Sequence, residues 1–333
     1  MNTLDKLATI RALSHLEPGQ REMLAACCWP QTIPEGAALY RDGDPAREAF
    51  ALVSGGIDLV RKTAAGPFAF GIVECGDVFG EEGSFGQTAR AGEALATETS
   101  EVLAFDSDRL RTVGAGDHRF RTAMLWAFWK SLAHKLRGSN ERLRSFFAQE
   151  KGGRQPEPAE VSPGRPDPTV DLATRRSIFV EQSLSAMEVN FLASLSRHQH
   201  HDPGELIFRE GDSGDTLYVV LDGEVMISKR IPGAGEEALA FLRRGEYFGE
   251  MALIDDQPRS ASATAHSGGA TVLAIAEEVV EGLLHIDHVS SSKLLEILCG
   301  LICSRLVESD DKLVGWHILA ASATPGATTS LSS

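Results

Sequence analysis

Phe248-Gly249-Glu250-Met251-Ala252-Leu253-Ile254-Asp255-Asp256-Gln257-Pro258-Arg259-Ser260-Ala261 is the stretch that decides the fold. It opens on a glycine beside an acid, crosses a short apolar run and ends on an arginine followed by small residues. Earlier, Phe79-Gly80-Glu81-Glu82-Gly83-Ser84-Phe85-Gly86-Gln87-Thr88-Ala89-Arg90-Ala91 repeats it, with glutamate and arginine nine positions apart in both (90 − 81; 259 − 250). The repeat extends backwards. Tyr40-Arg41-Asp42-Gly43-Asp44 matches Phe208-Arg209-Glu210-Gly211-Asp212, and Leu52-Val53-Ser54-Gly55-Gly56 matches Val220-Leu221-Asp222-Gly223-Glu224, each at an offset of 168 (212 − 44; 223 − 55). The glycine–acid runs beginning at Gly76 and Gly245 are 169 apart (245 − 76), so one residue is gained between them. A shared offset over so many positions marks an internal duplication.

Within each copy, short runs of β-branched and aromatic residues alternate with glycine–acid turns, as in Leu217–Leu221 and Val225–Ile227 around Asp222-Gly223. That spacing predicts an all-β roll. Each roll is followed by a helical pattern: Leu125, Trp129, Leu132, Leu136, Leu143 and Phe147 in copy one, and Leu295, Leu298, Ile302, Leu306, Leu313 and Trp316 in copy two. Between Gln149 and Asp171 stand Pro156, Pro158, Pro163, Pro166 and Pro168 with almost nothing apolar, which reads as an extended linker. The expected class is mainly β with flanking α (α+β): two tandem double-stranded β-helix (jelly-roll) domains, each followed by a long helix. The boundaries are 1–148, a Pro-rich linker 149–174, 175–318 and a disordered tail 319–333.

The 333 residues are 43% hydrophobic and 24% charged, enough apolar material for two cores. A net charge of −15 argues against general nucleic-acid binding. No segment reaches the roughly 18 apolar residues of a membrane span, and Met1–Leu13 lacks the apolar centre of a signal peptide. Five scattered cysteines fit buried thiols in a reducing compartment, so a cytoplasmic location is expected.

The stretch resembles the phosphate-binding cassette of cyclic-nucleotide-binding domains, the family of the bacterial catabolite activator protein and of protein kinase A regulatory subunits. The resemblance covers roughly residues 10–147 and 176–316. It implies a receptor for cAMP or cGMP rather than an enzyme, with the nucleotide as ligand and no cofactor or metal. Arg259 can meet the phosphate bidentately, and Gly249 lets the backbone approach. The turn after Glu250 can aim free N–H groups at the anion, and the Glu250 carboxylate, all acceptor, suits a ribose hydroxyl. The expected ligand-binding set is Phe248, Gly249, Glu250, Met251, Ala252, Arg259, Ser260 and Ala261 in copy two, and Gly80, Glu81, Gly83, Arg90 and Ala91 in copy one. Glu82 replaces the apolar Met251, Ala89 replaces Pro258, and Glu93 adds another acid. Inward carboxylates repel phosphate, so copy two is the firmer site and copy one an acid-crowded second one. Base preference leans toward cAMP.

The expected partners are the cyclic nucleotide, an unidentified effector protein and a second copy of the chain, docked through the helices after each roll. Direct DNA binding is not expected, because the 18 residues after Gly315 (333 − 315) are too few for a helix-turn-helix. The competing function is a scaffold whose pockets are vestigial. His198, His200 and His201 read as a surface cluster rather than a metal site, and Cys299 and Cys303 as core packing. Arg175-Arg176-Ser177-Ile178 reads as a helix entry rather than a kinase-inhibitor segment.

Overall fold

The computed structural model describes residues 2–147, 160–231, 235–255, 257–285 and 292–323. Copy one opens with helices α1 (Thr3–Thr9) and α2 (Pro18–Ala25). Eight strands follow: β1 (Cys28–Ile33), β2 (Ala38–Tyr40), β3 (Glu48–Ser54), β4 (Ile57–Thr63), β5 (Gly66–Val73), β6 (Val78–Phe79), β7 (Glu93–Ala96) and β8 (Ser100–Asp106). Helices α3 (Ser107–Gly116) and α4 (His118–Phe147) close the copy. Copy two runs α5 (Leu172–Glu181), α6 (Ala186–Leu195), β9 (Arg197–His201), β10 (Leu206–Phe208), β11 (Thr216–Ile231), β12 (Gly235–Leu242) and β13 (Tyr247–Phe248). It ends with α7 (Ala252–Asp255), β14 (Ser262–Ala276), α8 (Glu277–His285) and α9 (Ser292–Ala323).

In copy one, two antiparallel sheets ordered β1-β8-β3-β6 and β2-β7-β4-β5 make the roll. Alternating inward residues such as Phe50, Leu52, Ile57, Phe79 and Val102 fill it. Copy two repeats the plan with a difference the glycine–acid turn does not announce. β11 and β14 run through the points where copy one breaks into β3/β4 and β7/β8, joining the strands into one six-stranded sheet. Register shifts at Val220/Asp222 and Gly223/Glu224 absorb the expected turn as a bulge.

The central core is helical and shared. Leu125, Trp129, Leu132 and Leu136 of α4 lie buried with Leu295, Leu298, Ile302 and Leu306 of α9. Each buried leucine contributes about 1.5–3 kcal/mol. The helices run the same way, because Arg121 pairs with Glu296 near their starts and Ser139 meets Ser309 further along. The seam expected between two chains is therefore filled within one. Cys299 and Cys303 are free and buried in it, and burial pushes the Cys303 thiol up to about 12, as core packing requires. Glu188, wholly buried, caps α6 through Ser185 and also accepts from the Leu294 N–H at 3.1 Å, fixing where α9 begins.

Three expectations change. α9 continues to Ala323, so residues 319–323 of the expected tail are helical, whereas 324–333 lie outside the described residues. The second half of the linker is pinned to copy two: Val161 bridges Leu206, Arg165 bridges His200, and Arg165 pairs with Asp202. α5 already starts at Leu172 and carries Arg175–Ile178, which is the helix entry foreseen; linker residues 149–159 lie outside the described residues. His201 is no surface residue. It is fully buried beneath Gly164, where an added Cβ would come within 2.7 Å of its ring, while His198 and His200 are half-buried. Among the described residues no cluster of His, Cys, Asp and Glu could hold a metal, and no helix is long and apolar enough to cross a membrane.

Candidate functional site

The two arginines sit in matching cradles. Arg259 is 5% exposed and donates from Nη1 to the Gly249 carbonyl (2.7 Å) and from Nη2 to that of Thr216 (2.9 Å). Its guanidinium lies 4.4 Å from the Phe208 ring centre. Arg90, also 5% exposed, donates to Gly80 (2.7 Å) and Glu48, 4.4 Å from the Tyr40 ring centre. Carbonyl and ring contacts hold a buried cation where its planar face suits them. In both, Nε is buried and has no hydrogen-bond partner among the described residues. Such a donor is costly to leave unmatched. Burial draws the Arg259 guanidinium below its ordinary range, yet it remains charged.

The glycines before the acids explain themselves. Gly249 and Gly80 have φ of 80° and 74°, and an added Cβ would lie 2.7 and 2.8 Å from the arginine Nη1. Only glycine meets both demands.

The acids do not face the arginines. Glu250 pairs with Arg305 of α9 at 2.8 Å, and Glu81 with Lys135 of α4 at 2.6 Å. Both carboxylates are buried, at 1% and 0% exposure, and both cations come from the helix after their own roll. Burial alone would lower the Lys135 pKa, but Glu81 and Glu82 outweigh it and hold the ammonium above its ordinary value. Lys135 and Arg305 escaped the sequence reading, although they stand 170 apart (305 − 135) and continue the repeat.

All eight copy-two residues expected at the site line one pocket, with Arg305 and Lys312 of α9. Copy one is less faithful. Arg90 and Ala91 line its pocket, but Gly80, Glu81 and Gly83 do not. Gly80 holds the arginine from behind, Glu81 lies under Lys135, and Gly83 is packed so closely that a Cβ would meet the Ala46 carbonyl at 1.9 Å. Glu82 does point inward, 3.9 Å from Arg90. Glu93 also lines the pocket, paired with Lys62 at 2.7 Å.

Each pocket is lidded by the other copy's helix. Leu136 and Asn140 of α4 line the copy-two pocket, and their counterparts Leu306 and Asp310 of α9 line that of copy one. The clasps match as well. Lys229 donates to the Ser260 carbonyl (3.2 Å) and pairs with Glu141 of α4 (2.7 Å). In copy one, Arg61 donates to the Ala91 carbonyl (2.8 Å) and pairs with Asp311 of α9. Where the helices cross, Ser139 meets Ser309 at 2.9 Å and donates to Asp310 at 2.7 Å, and Ser309 donates to Asn140 at 3.3 Å. Burial pushes the Asp310 carboxyl up to about 7; Ser139, Arg142 and Lys135 pull it down and Glu82 pushes it up.

A family model described as the cyclic nucleotide-binding domain matches residues 30–117 and 198–287. The chain is 25% identical over 316 residues to a cGMP-dependent protein kinase of Toxoplasma gondii, covering 92% of this chain and 26% of that one. It is 21% identical over 275 residues to human cGMP-dependent protein kinase 2, covering 82% and 30%. Against the cyclic AMP receptor protein of Thermus thermophilus it is 33% identical over 130 residues, 39% of this chain and 58% of that one. The regulatory domain of Toxoplasma gondii PKA, solved with cAMP, is similar at 20% identity and a TM-score of 0.32, covering 88% of this chain and 94% of that one. The chain spans about a quarter of the Toxoplasma kinase it matches.

Proposed function

The chain belongs to the cyclic nucleotide-binding domain family, in two copies, and from that premise we propose that it is a non-catalytic receptor for cAMP or cGMP. The observation that carries this reading is the pair of buried arginines, each facing a pocket with an Nε that lacks a partner among the described residues. A phosphate oxygen supplies the missing acceptor, and the rings behind keep the guanidinium in place. Ligand arriving at the copy-two cassette also competes for Glu250, which lines that pocket. A ribose hydroxyl that takes this carboxylate loosens Arg305, and with it the helix that carries it. The signal leaves through α4 and α9 to an effector protein, or to a second copy of the chain on a face other than their shared seam, in the cytoplasm.

Calorimetric titration of cAMP and cGMP into the wild type, Arg90→Ala and Arg259→Ala tests the reading. Two binding events are expected in the wild type, with the tighter one lost in Arg259→Ala. The loss should be about 2 kcal/mol or more, since truncation removes a buried charged donor. Binding unchanged in both variants removes the site assignment. No binding by the wild type at millimolar nucleotide leaves the scaffold function instead.

A further inference from the structure

Behind the copy-one cassette lies a cavity of about 370 Å³, separate from both arginine pockets. Its floor is apolar. Buried Leu110 of α3 and Phe120, Met124, Leu125 and Phe128 of α4 line it, with Phe85 of the cassette edge-on to Phe128 at 5.8 Å. Gly300 of α9 leaves it open, since an added Cβ there meets nothing within 4 Å. The charged lining is Arg111, Arg121 and Glu296, a net +1 (2 − 1) in a chain of net charge −15.

The cavity departs from the duplication. Ser84, Glu296 and Gly300 stand where the repeat has Leu253, Trp126 and Lys130, at offsets of 169, 170 and 170 (253 − 84; 296 − 126; 300 − 130). Leu253 is buried, and Trp126 packs edge-on against Trp129 at 5.1 Å, so larger side chains take the places that copy one leaves small. Both arginines already hold carboxylates, on different terms. Arg121 and Glu296 join the starts of α4 and α9, a pairing that belongs to the fold. Arg111 pairs with Asp108 at 2.9 Å within α3, where the two side chains are 70% and 80% exposed. Such a surface pair contributes little, so this guanidinium is free to exchange onto another carboxylate, which it can take bidentately.

We infer that this cavity is a second ligand site, for a small carboxylic acid with an apolar body, whose head exchanges onto Arg111 while its body lies on Phe120, Met124 and Phe128. An apolar floor with a few polar groups to fix orientation is what such a ligand needs. The site does not depend on nucleotide binding.

The experiment titrates decanoate, its shorter homologues and decanol into the full chain by calorimetry, without nucleotide. Decanoate should bind, with affinity rising about fourfold per methylene from hexanoate upward, the increment of a buried CH₂. Decanol should bind about tenfold more weakly, for want of a contact to a charged group. Arg111→Gln, a change at an exposed position of α3, should bring decanoate down to the level of decanol. Gly300→Leu fills the cavity from α9 and should abolish decanoate binding, while cAMP and cGMP titrate as in the wild type. Thermal unfolding of each variant checks that the fold is kept. No binding of decanoate, equal binding of decanol, or wild-type affinity for decanoate in either variant overturns the site. Sedimentation covers the other occupant: self-association of the wild type that is lost in Gly300→Leu would assign this face to a second copy and overturn it too. Nucleotide titrations read Arg90 and Arg259 separately, so a failure here is distinguishable from a failure of the receptor reading.

Discussion

The two pockets share a cassette, a cradle for the arginine and a helix cation on the acid, yet one encloses about 60 Å³ and the other about 290 Å³. The difference lies in what reaches across. In copy two, Lys312 of α9 donates to the carbonyls of Ala238 and Leu239, both at 2.7 Å, and straps the helix onto β12. Its counterpart in copy one is Arg142 (312 − 142 = 170), whose buried Nε has no hydrogen-bond partner among the described residues. The apolar Met251 fills space beside Ser260, whereas Glu82 brings charge to the same place. A duplicated site can thus keep its ligand-facing groups and still differ in closure, because closure depends on the helix and not on the cassette.

The largest test of this contrast removes the helix cations. Lys135→Met leaves the wholly buried Glu81 beside Glu82 with no cation, which should cost about 3–5 kcal/mol in urea unfolding. Arg305→Met should cost less, because among the described residues Arg305 pairs with Glu250 alone, whereas Lys135 holds both Glu81 and Glu82. Equal losses would mean that charge crowding is not what separates the pockets.

A second test uses pH. The Asp310 carboxyl ionises near its ordinary 3.8 in the unfolded chain and near about 7 in the folded one. Between those values the folded state holds the extra proton, so stability falls as pH rises through the window and the loss is complete above it. Asp310→Asn removes the effect. Its unfolding midpoint relative to wild type should therefore rise from pH 5 to pH 8, by an amount worth a few kcal/mol at most. A flat difference would place the Asp310 side chain in solvent contact.

The smallest effect sharpens the comparison from the ligand side. Glu82→Met gives copy one the residue that copy two has and removes a carboxylate 3.9 Å from Arg90. Cyclic-nucleotide binding at pocket one should tighten about tenfold in titration, a modest share of the Coulomb energy at that distance. Unchanged affinity would show that Glu82 is already neutralised by Lys135.

Much of this was legible in the sequence. The offset of 168–169 exposed the duplication, and the glycine–acid–arginine spacing located both cradles. What stayed hidden depends on contacts between residues far apart in the chain. The periodicity of Leu125–Leu143 gives a helix with a buried face but does not say that another helix of the same chain fills it. Nor does any local pattern tell that Leu136 roofs the pocket of copy two, or that Glu81 and Glu250 spend their charge on Lys135 and Arg305. Bulges hide likewise: Asp222-Gly223 looks like the turn at Gly55-Gly56, but the partner strand carries straight through. His201 was misjudged because a histidine beside two others looks solvated until Gly164 is seen to cover it.

The crossing of α4 and α9 has a consequence for how such a molecule can change over generations. An assembly of two identical chains must accept every substitution in both halves at once, so a change that helps one site and harms the other is held back. Here the halves are written separately in one chain, and a substitution arrives once. Asn140 against Asp310, Met251 against Glu82, and Lys312 against Arg142 are differences that an identical pair could not hold.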